Sequence, residues 1–185
     1  MKILVAYFSE TGNTKRIAEA IGEEATAGGH EVCVKVVGKV GENQMDDYDI
    51  LFVGSTCHSS DLAAPVKQFL SRIPDGAKFK LAGFVTHSTV MPERDARQKE
   101  LYERWAGKCP ITFDTAAKEK GVDFLGFFHC QGAPSPPIEE FIRQSVIPND
   151  EEWEEYIAEA RKHPTSEDVD DARVFARDVL SVSPQ

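Results

Sequence analysis

The sequence predicts an α/β fold built around a parallel five-stranded sheet. Two observations predict it. Five apolar runs of strand length recur along the chain, and stretches with helical spacing lie between most of them. The first run, Lys2-Ile-Leu-Val-Ala-Tyr-Phe8, is apolar almost throughout. A strand buried on both faces of a parallel sheet reads this way.

The elements follow in order. After Lys2–Phe8 a helix is expected over about 13–27, with Ile17, Ala18, Ile21 and Ala25 on one face and Gly28-Gly29 ending it. Glu31–Val37 is the second strand and Asp49–Gly54 the third. A helix over about 64–73 turns Val66, Phe69, Leu70 and Ile73 inward. Phe79–Val85 is the fourth strand, followed by a helix over about 93–106 and another over 113–120. Val122–Cys130 is the fifth strand. Ala133-Pro-Ser-Pro-Pro137 reads as a turn, and it opens a helical insert over about 133–165. A closing helix over 167–180 carries an apolar stripe of Val169, Ala172, Phe175, Ala176 and Val179. Asp168, Asp170 and Asp171 sit in its first turn, where acids suit the helix dipole. The crossovers are expected to be right-handed, and residues 1–185 to form one domain.

Composition narrows the function. The 185 residues include 41% apolar residues and no run of membrane-span length. No export signal is visible at the start, so the expectation is a cytoplasmic protein. Cys33, Cys57, Cys109 and Cys130 are widely spaced, which disfavours a zinc site or a disulfide framework. The net charge is −10, and the stretch from Asn149 to Asp171 holds ten acids against two bases. Nucleic acid is a disfavoured partner. The acids suit either a solvated helix face or a partner protein with a basic patch.

The chemistry is concentrated after the first strand, in Ser9-Glu10-Thr11-Gly12-Asn13-Thr14. The strand stops, the next helix starts near Asn13, and the helix leaves backbone N–H groups for an anion to satisfy. Gly12 permits a sharp turn, and Ser9, Thr11, Asn13 and Thr14 add hydroxyl and amide donors. Together they form a neutral phosphate cradle. Neither a Walker loop nor a three-glycine dinucleotide fingerprint is present.

With this motif the sequence resembles the flavodoxin family, whose phosphate loop reads Ser/Thr-x-Thr-Gly-Asn-Thr directly after strand one. The resemblance covers about 2–130 and the closing helix. It implies a three-layer sandwich with strand order 2-1-3-4-5 and FMN bound where strands one and three diverge. It also implies two loops around the isoalloxazine ring. One follows strand three and contains Thr56, Cys57, His58 and Ser59. The other follows strand four and contains Thr86, His87, Ser88 and Thr89. A backbone carbonyl of the first would accept the N5–H of the reduced ring, and N–H groups of the second would bind its pyrimidine edge.

Many flavodoxins stack a Trp and a Tyr on the ring, and neither loop here has one. Cys57, His58, His87 and Met91 are then the ring's expected neighbours, with the ring more open than usual. His30, His129 and His163 are read as structural. Tyr102 and Trp105 are read as packing residues, and Trp153 and Tyr156 as partner anchors or as packing of the insert. The leading functional expectation is an electron carrier between redox partner proteins, monomeric or weakly dimeric, with no membrane partner. The alternative is an FMN-dependent NAD(P)H or quinone oxidoreductase. The third is a non-redox regulatory domain, for which only Glu10 gives partial support.

Overall fold

The computed structural model describes residues 1–182. Five long strands form one parallel sheet: β1 (Lys2–Tyr7), β2 (Glu31–Val36), β3 (Ile50–His58), β5 (Lys80–His87) and β6 (Phe124–Gln131). A two-residue strand, β4 (Asp61–Leu62), pairs antiparallel with the end of β3. The spatial order is β2-β1-β3-β5-β6. Counted over the long strands this is the expected 2-1-3-4-5. The chain order reverses between β1 and β3, which is where open α/β sheets bind ligands.

Side-chain alternation sorts the two faces. Ile3, Val5, Phe52 and Phe84 pack on one side with Ile17 and Ile21 of α1 (Asn13–Ala27) and Ala172 and Val179 of α7 (Ser166–Ser181). Leu4, Ala6, Leu51, Val53 and Val85 pack on the other. There they meet Val66 and Phe69 of α2 (Ala64–Ser71) and Phe113 of α4 (Lys108–Lys120). The sheet is therefore covered on both faces, as its apolar strands require. Phe52, Phe69, Phe84 and Phe113 are fully buried, each worth about 1.5–3 kcal/mol in transfer terms.

Several boundaries differ from the sequence expectation. The third strand does not stop at Gly54 but runs to His58. Its extension pairs back on β4 through a tight turn at Ser59-Ser60. The fourth strand likewise runs through Thr86 to His87. The helix α3 spans Ala96–Trp105 rather than starting near Glu93, because the Asp95 side chain accepts the Gln98 N–H at 2.9 Å and caps it. The helix α4 begins at Lys108, so Pro110 lies inside its first turn. Proline is tolerated there because first-turn N–H groups have no helical partner.

The insert holds α5 (Pro136–Ser145) and α6 (Asp150–Ala160). The Arg161 guanidinium on Glu139 ties the end of α6 to α5.

Candidate functional site

The loop between β1 and α1 leads into an uncapped helix terminus. Gly12 precedes the helix at φ +94°, a left-handed conformation that side chains disfavour. Its N–H donates to Ser9 Oγ at 3.1 Å, which folds the loop on itself. No side chain caps α1 and its first turn holds no acid, so the positive end of the helix is left for a ligand. Asn13 Nδ2 donates to the Ala133 carbonyl at 2.8 Å. This contact needs Gly132, where an added Cβ would stand 2.8 Å from Asn13 Nδ2 and 3.2 Å from its Cβ. Thr11 and Gly12 are exposed.

Thr14 occupies a different position from its neighbours. It is buried, and its hydroxyl meets the Thr86 hydroxyl at 2.8 Å. Thr14 therefore joins the first loop to the end of β5. Glu10 leaves the cradle as well: its carboxylate takes the His58 Nε2 at 2.6 Å on the exposed rim.

The second cluster is a hairpin rather than an irregular loop. Ser59 and Ser60 both hold positive φ, at 50° and 73°, the backbone of a two-residue turn. Thr56 pairs in register with Thr86, and Cys57 and His58 continue the strand. Asp61 anchors the return strand. Burial alone would raise its carboxyl. Hydrogen bonds from Thr112 Oγ1 at 2.6 Å, from the Leu62 N–H and from Lys67 outweigh that and hold it below the usual carboxylate range.

The third cluster centres on His87. Its Nδ1 lies 3.1 Å from the Thr89 carbonyl and 2.8 Å from Thr89 Oγ1. A carbonyl only accepts, so Nδ1 carries the proton. Its Nε2, 2.9 Å from His129 Nδ1, then accepts from His129. Burial and the neighbouring His129 push His87 down to about 3, which keeps the ring neutral. Tyr102 stacks on His129 at a centroid distance of 4.7 Å. His129, read from sequence as structural, is therefore the partner that orients a site residue.

A cavity of about 1350 Å³ opens beside the second and third clusters. Cys57, Ser59, Ser60, His87, Ser88 and Thr89 line it on the sheet side. Trp105, Phe141, Ile142 and Tyr156 line it from α3 and the insert. The Tyr156 hydroxyl donates to the Ser88 carbonyl at 2.6 Å, fastening α6 over the loop after β5. The buried Trp105 indole N–H has no hydrogen-bond partner among the described residues. The phosphate loop lies outside the cavity wall. Gln131 lines the cavity, and the next residue, Gly132, packs on Asn13.

The residues fit a flavin mononucleotide. The loop from Ser9 to Asn13 offers neutral donors and a helix terminus to a phosphate, while the cavity offers apolar walls and free polar groups to a ring.

Three further groups of residues, absent from the candidates expected from sequence, stand beside these segments. Gly132 and Ala133 follow directly on the end of the fifth strand, a position that marks ligand sites in this architecture. Trp105 and Phe141, in edge contact at 5.3 Å, supply aromatic wall that neither ring loop contains. Cys109 comes within 3.6 Å of Cys57 from the start of α4, although 52 positions separate them. The last two carry no local signal, because only the packing of helices brings them in.

Comparison with known proteins agrees with this fold. A family model described as the flavodoxin domain matches residues 4–177. The flavodoxin-like domain-containing protein BilS of Clostridioides difficile is 27% identical over 187 residues, covering 97% of each chain. An NAD(P)H dehydrogenase (quinone) of Brucella anthropi is 27% identical over 129 residues, 57% of this chain and 65% of that one. Among solved structures, oxidised Flavodoxin 2 from Bacillus cereus superposes with a TM-score of 0.65 at 22% identity, covering 98% and 99% of the two chains. A flavodoxin from the domain Archaea gives 0.63 at 19% identity, covering 98% and 97%. Sequence and structure together show that the chain belongs to the flavodoxin family, a family of flavin-binding redox proteins.

Proposed function

We propose that this protein binds FMN and passes electrons between partner proteins. The observation that carries the proposal is the placement of α6. Glu151, Glu154 and Glu155 are its exposed acids outside the ion pairs, and Glu155 lines the cavity, whereas Asp150, Glu152 and Glu159 pair with Arg143, Arg97 and Lys162. The unpaired acids of α6, beside a cavity rim that also carries Arg94 and Arg104, suit docking by a partner with a basic patch. Such complementarity speeds encounter more than it strengthens binding.

Bound FMN would supply the redox chemistry, accepting and releasing electrons at its ring. The chain does the holding. Ser9 and the α1 terminus retain the phosphate. The Ser59-Ser60 turn presents backbone groups to the cavity, and neutral His87 keeps Thr89 in place without adding charge. Tyr156 fixes the insert over Ser88 and so limits water on that side. This mechanism requires no side chain to move a proton.

A second reading is favoured by the cavity itself. Its 1350 Å³ exceeds the roughly 300–1,000 Å³ usual for small-molecule pockets, and Trp105, Phe141 and Ile142 give it an apolar wall beyond the ring loops. An FMN-dependent oxidoreductase acting on an apolar small molecule would use that space. Anaerobic mixing of the FMN-loaded protein with NADH or NADPH separates the readings. A carrier bleaches slowly with either nucleotide and quickly once a flavoprotein reductase is added. Rapid bleaching by nucleotide alone, followed by turnover with a quinone, would favour the enzyme instead.

A further inference from the structure

Two cysteines meet behind the cavity wall, and no thiol chemistry is needed for flavin binding or electron delivery. Cys57 lies near the end of β3 and lines the cavity. Cys109 is the second residue of α4 and is fully buried. Their sulfurs stand 3.6 Å apart. The pair is held from both sides. The Lys108 N–H donates to the Ser60 carbonyl at 3.1 Å, and Thr112 Oγ1 donates to Asp61. These bonds clamp the start of α4 to the hairpin that carries Cys57. The Cys57 thiol donates to the Trp105 carbonyl at 3.2 Å, which directs it toward the α3–α4 junction.

The two thiols are not equivalent. Cys57 is half-buried and reaches the cavity, whereas Cys109 has no path to solvent. The hydrogen bond with Cys57, together with burial, pushes the Cys109 thiol well above its usual range. A small disulfide entering the cavity can reach Cys57 but not Cys109. Cys57 then has the position of an attacking sulfur and Cys109 that of a resolving one.

We propose that Cys57 and Cys109 form a reversible dithiol–disulfide couple, with a low-molecular-weight disulfide as the oxidant. The Cys57 thiolate attacks one sulfur of that disulfide. This forms a mixed disulfide and releases one small thiolate. Cys109 then attacks Cys57 Sγ, forming the internal disulfide and breaking the mixed one, while its proton passes to the departing small thiolate, which leaves as a thiol. Two electrons leave the protein and reduce one external disulfide to two thiols. Closure requires the sulfurs to approach from 3.6 Å to a bond of about 2.05 Å. Cys57 lines the cavity, so the oxidation state of the pair changes the chemistry of that wall. Oxidation in a reducing compartment is usually transient and regulatory, which suits a pair at a binding site.

The test uses the folded wild-type chain, with and without FMN. The protein is equilibrated anaerobically in a series of reduced-to-oxidised glutathione ratios. It is then quenched in acid, alkylated with N-ethylmaleimide and digested for mass spectrometry. The expected result is loss of two of the four free thiols, recovery of a Cys57–Cys109 linked peptide, and its disappearance on return to reduced glutathione. Cys33 and Cys130 should stay alkylated. In Cys109→Ser, glutathione should accumulate on Cys57, because nothing displaces it. Four alkylated cysteines at every ratio would overturn the proposal. So would a linkage formed only in urea, or one that pairs Cys57 equally with Cys33 or Cys130. The arm without FMN tests the couple by itself, so the couple can fail while the flavin reading stands.

Discussion

Replacing Thr14 by Val should destabilise the fold far more than replacing Thr14 and Thr86 together. The two side chains are 1% and 4% exposed, and their hydroxyls lie 2.8 Å apart. Thr14→Val leaves the Thr86 hydroxyl buried without its partner. An orphaned buried hydroxyl costs about 1–3 kcal/mol, whereas removing both partners at constant shape is nearly neutral. Thr86→Val should cost a similar amount, since Val and Thr are both good strand formers. The double variant should then lie about 2 kcal/mol or more above the sum of the singles. Urea unfolding measures this directly. With a slope of about 2 kcal/mol per molar, each single variant shifts the midpoint down by about 0.5–1.5 M and the double by little. If the double variant loses the full sum of the two single losses, the bond does not couple the loops. The account of how the phosphate loop is positioned would then fail.

Three other predictions follow from the same geometry. His87 takes its proton only near pH 3 when folded but near 6.5 when unfolded, so acidification favours the unfolded chain. Stability should fall below pH 6.5 by up to about 1.4 kcal/mol per pH unit from this group. His87→Gln should flatten the slope between pH 6.5 and 4.5 in urea titrations, and equal slopes would contradict the assignment. Gly132→Ala should push Asn13 off the Ala133 carbonyl and cost about 1–3 kcal/mol. It should also weaken FMN more than riboflavin, as measured by flavin fluorescence quenching. Tyr156→Phe removes the bond to Ser88 and should cost about 1 kcal/mol. It should also raise amide exchange in α6 while leaving α1 unchanged.

The sheet was legible because its strands are nearly all apolar. Ile3 to Ala6 and Ile50 to Val53 are buried on both faces, so no register or face has to be inferred. The turn from Ser9 to Thr14 was legible because its features are local: Gly12, the helix start and the polar side chains lie within six residues. The hairpin was not, because Ser59-Ser60 lacks the Asn-Gly or Gly that usually marks a turn with positive φ. The cavity wall was not legible either. Trp105 and Phe141 lie 36 positions apart, and their meeting depends on how α3 and α5 pack. The same holds for Cys57 and Cys109. Thr14 is the instructive residue, since its place in the motif suggests a free phosphate donor and the fold buries it against Thr86.

The central claim is that the chain holds FMN by its phosphate as well as by its ring. The most direct measurement is a paired titration of the flavin-free protein with FMN and with riboflavin, followed by visible absorbance and fluorescence. The account predicts one-to-one saturation by FMN and riboflavin binding at least tenfold weaker, about 1.4 kcal/mol or more. Equal affinity for the two flavins, or no spectral change with either, would contradict it.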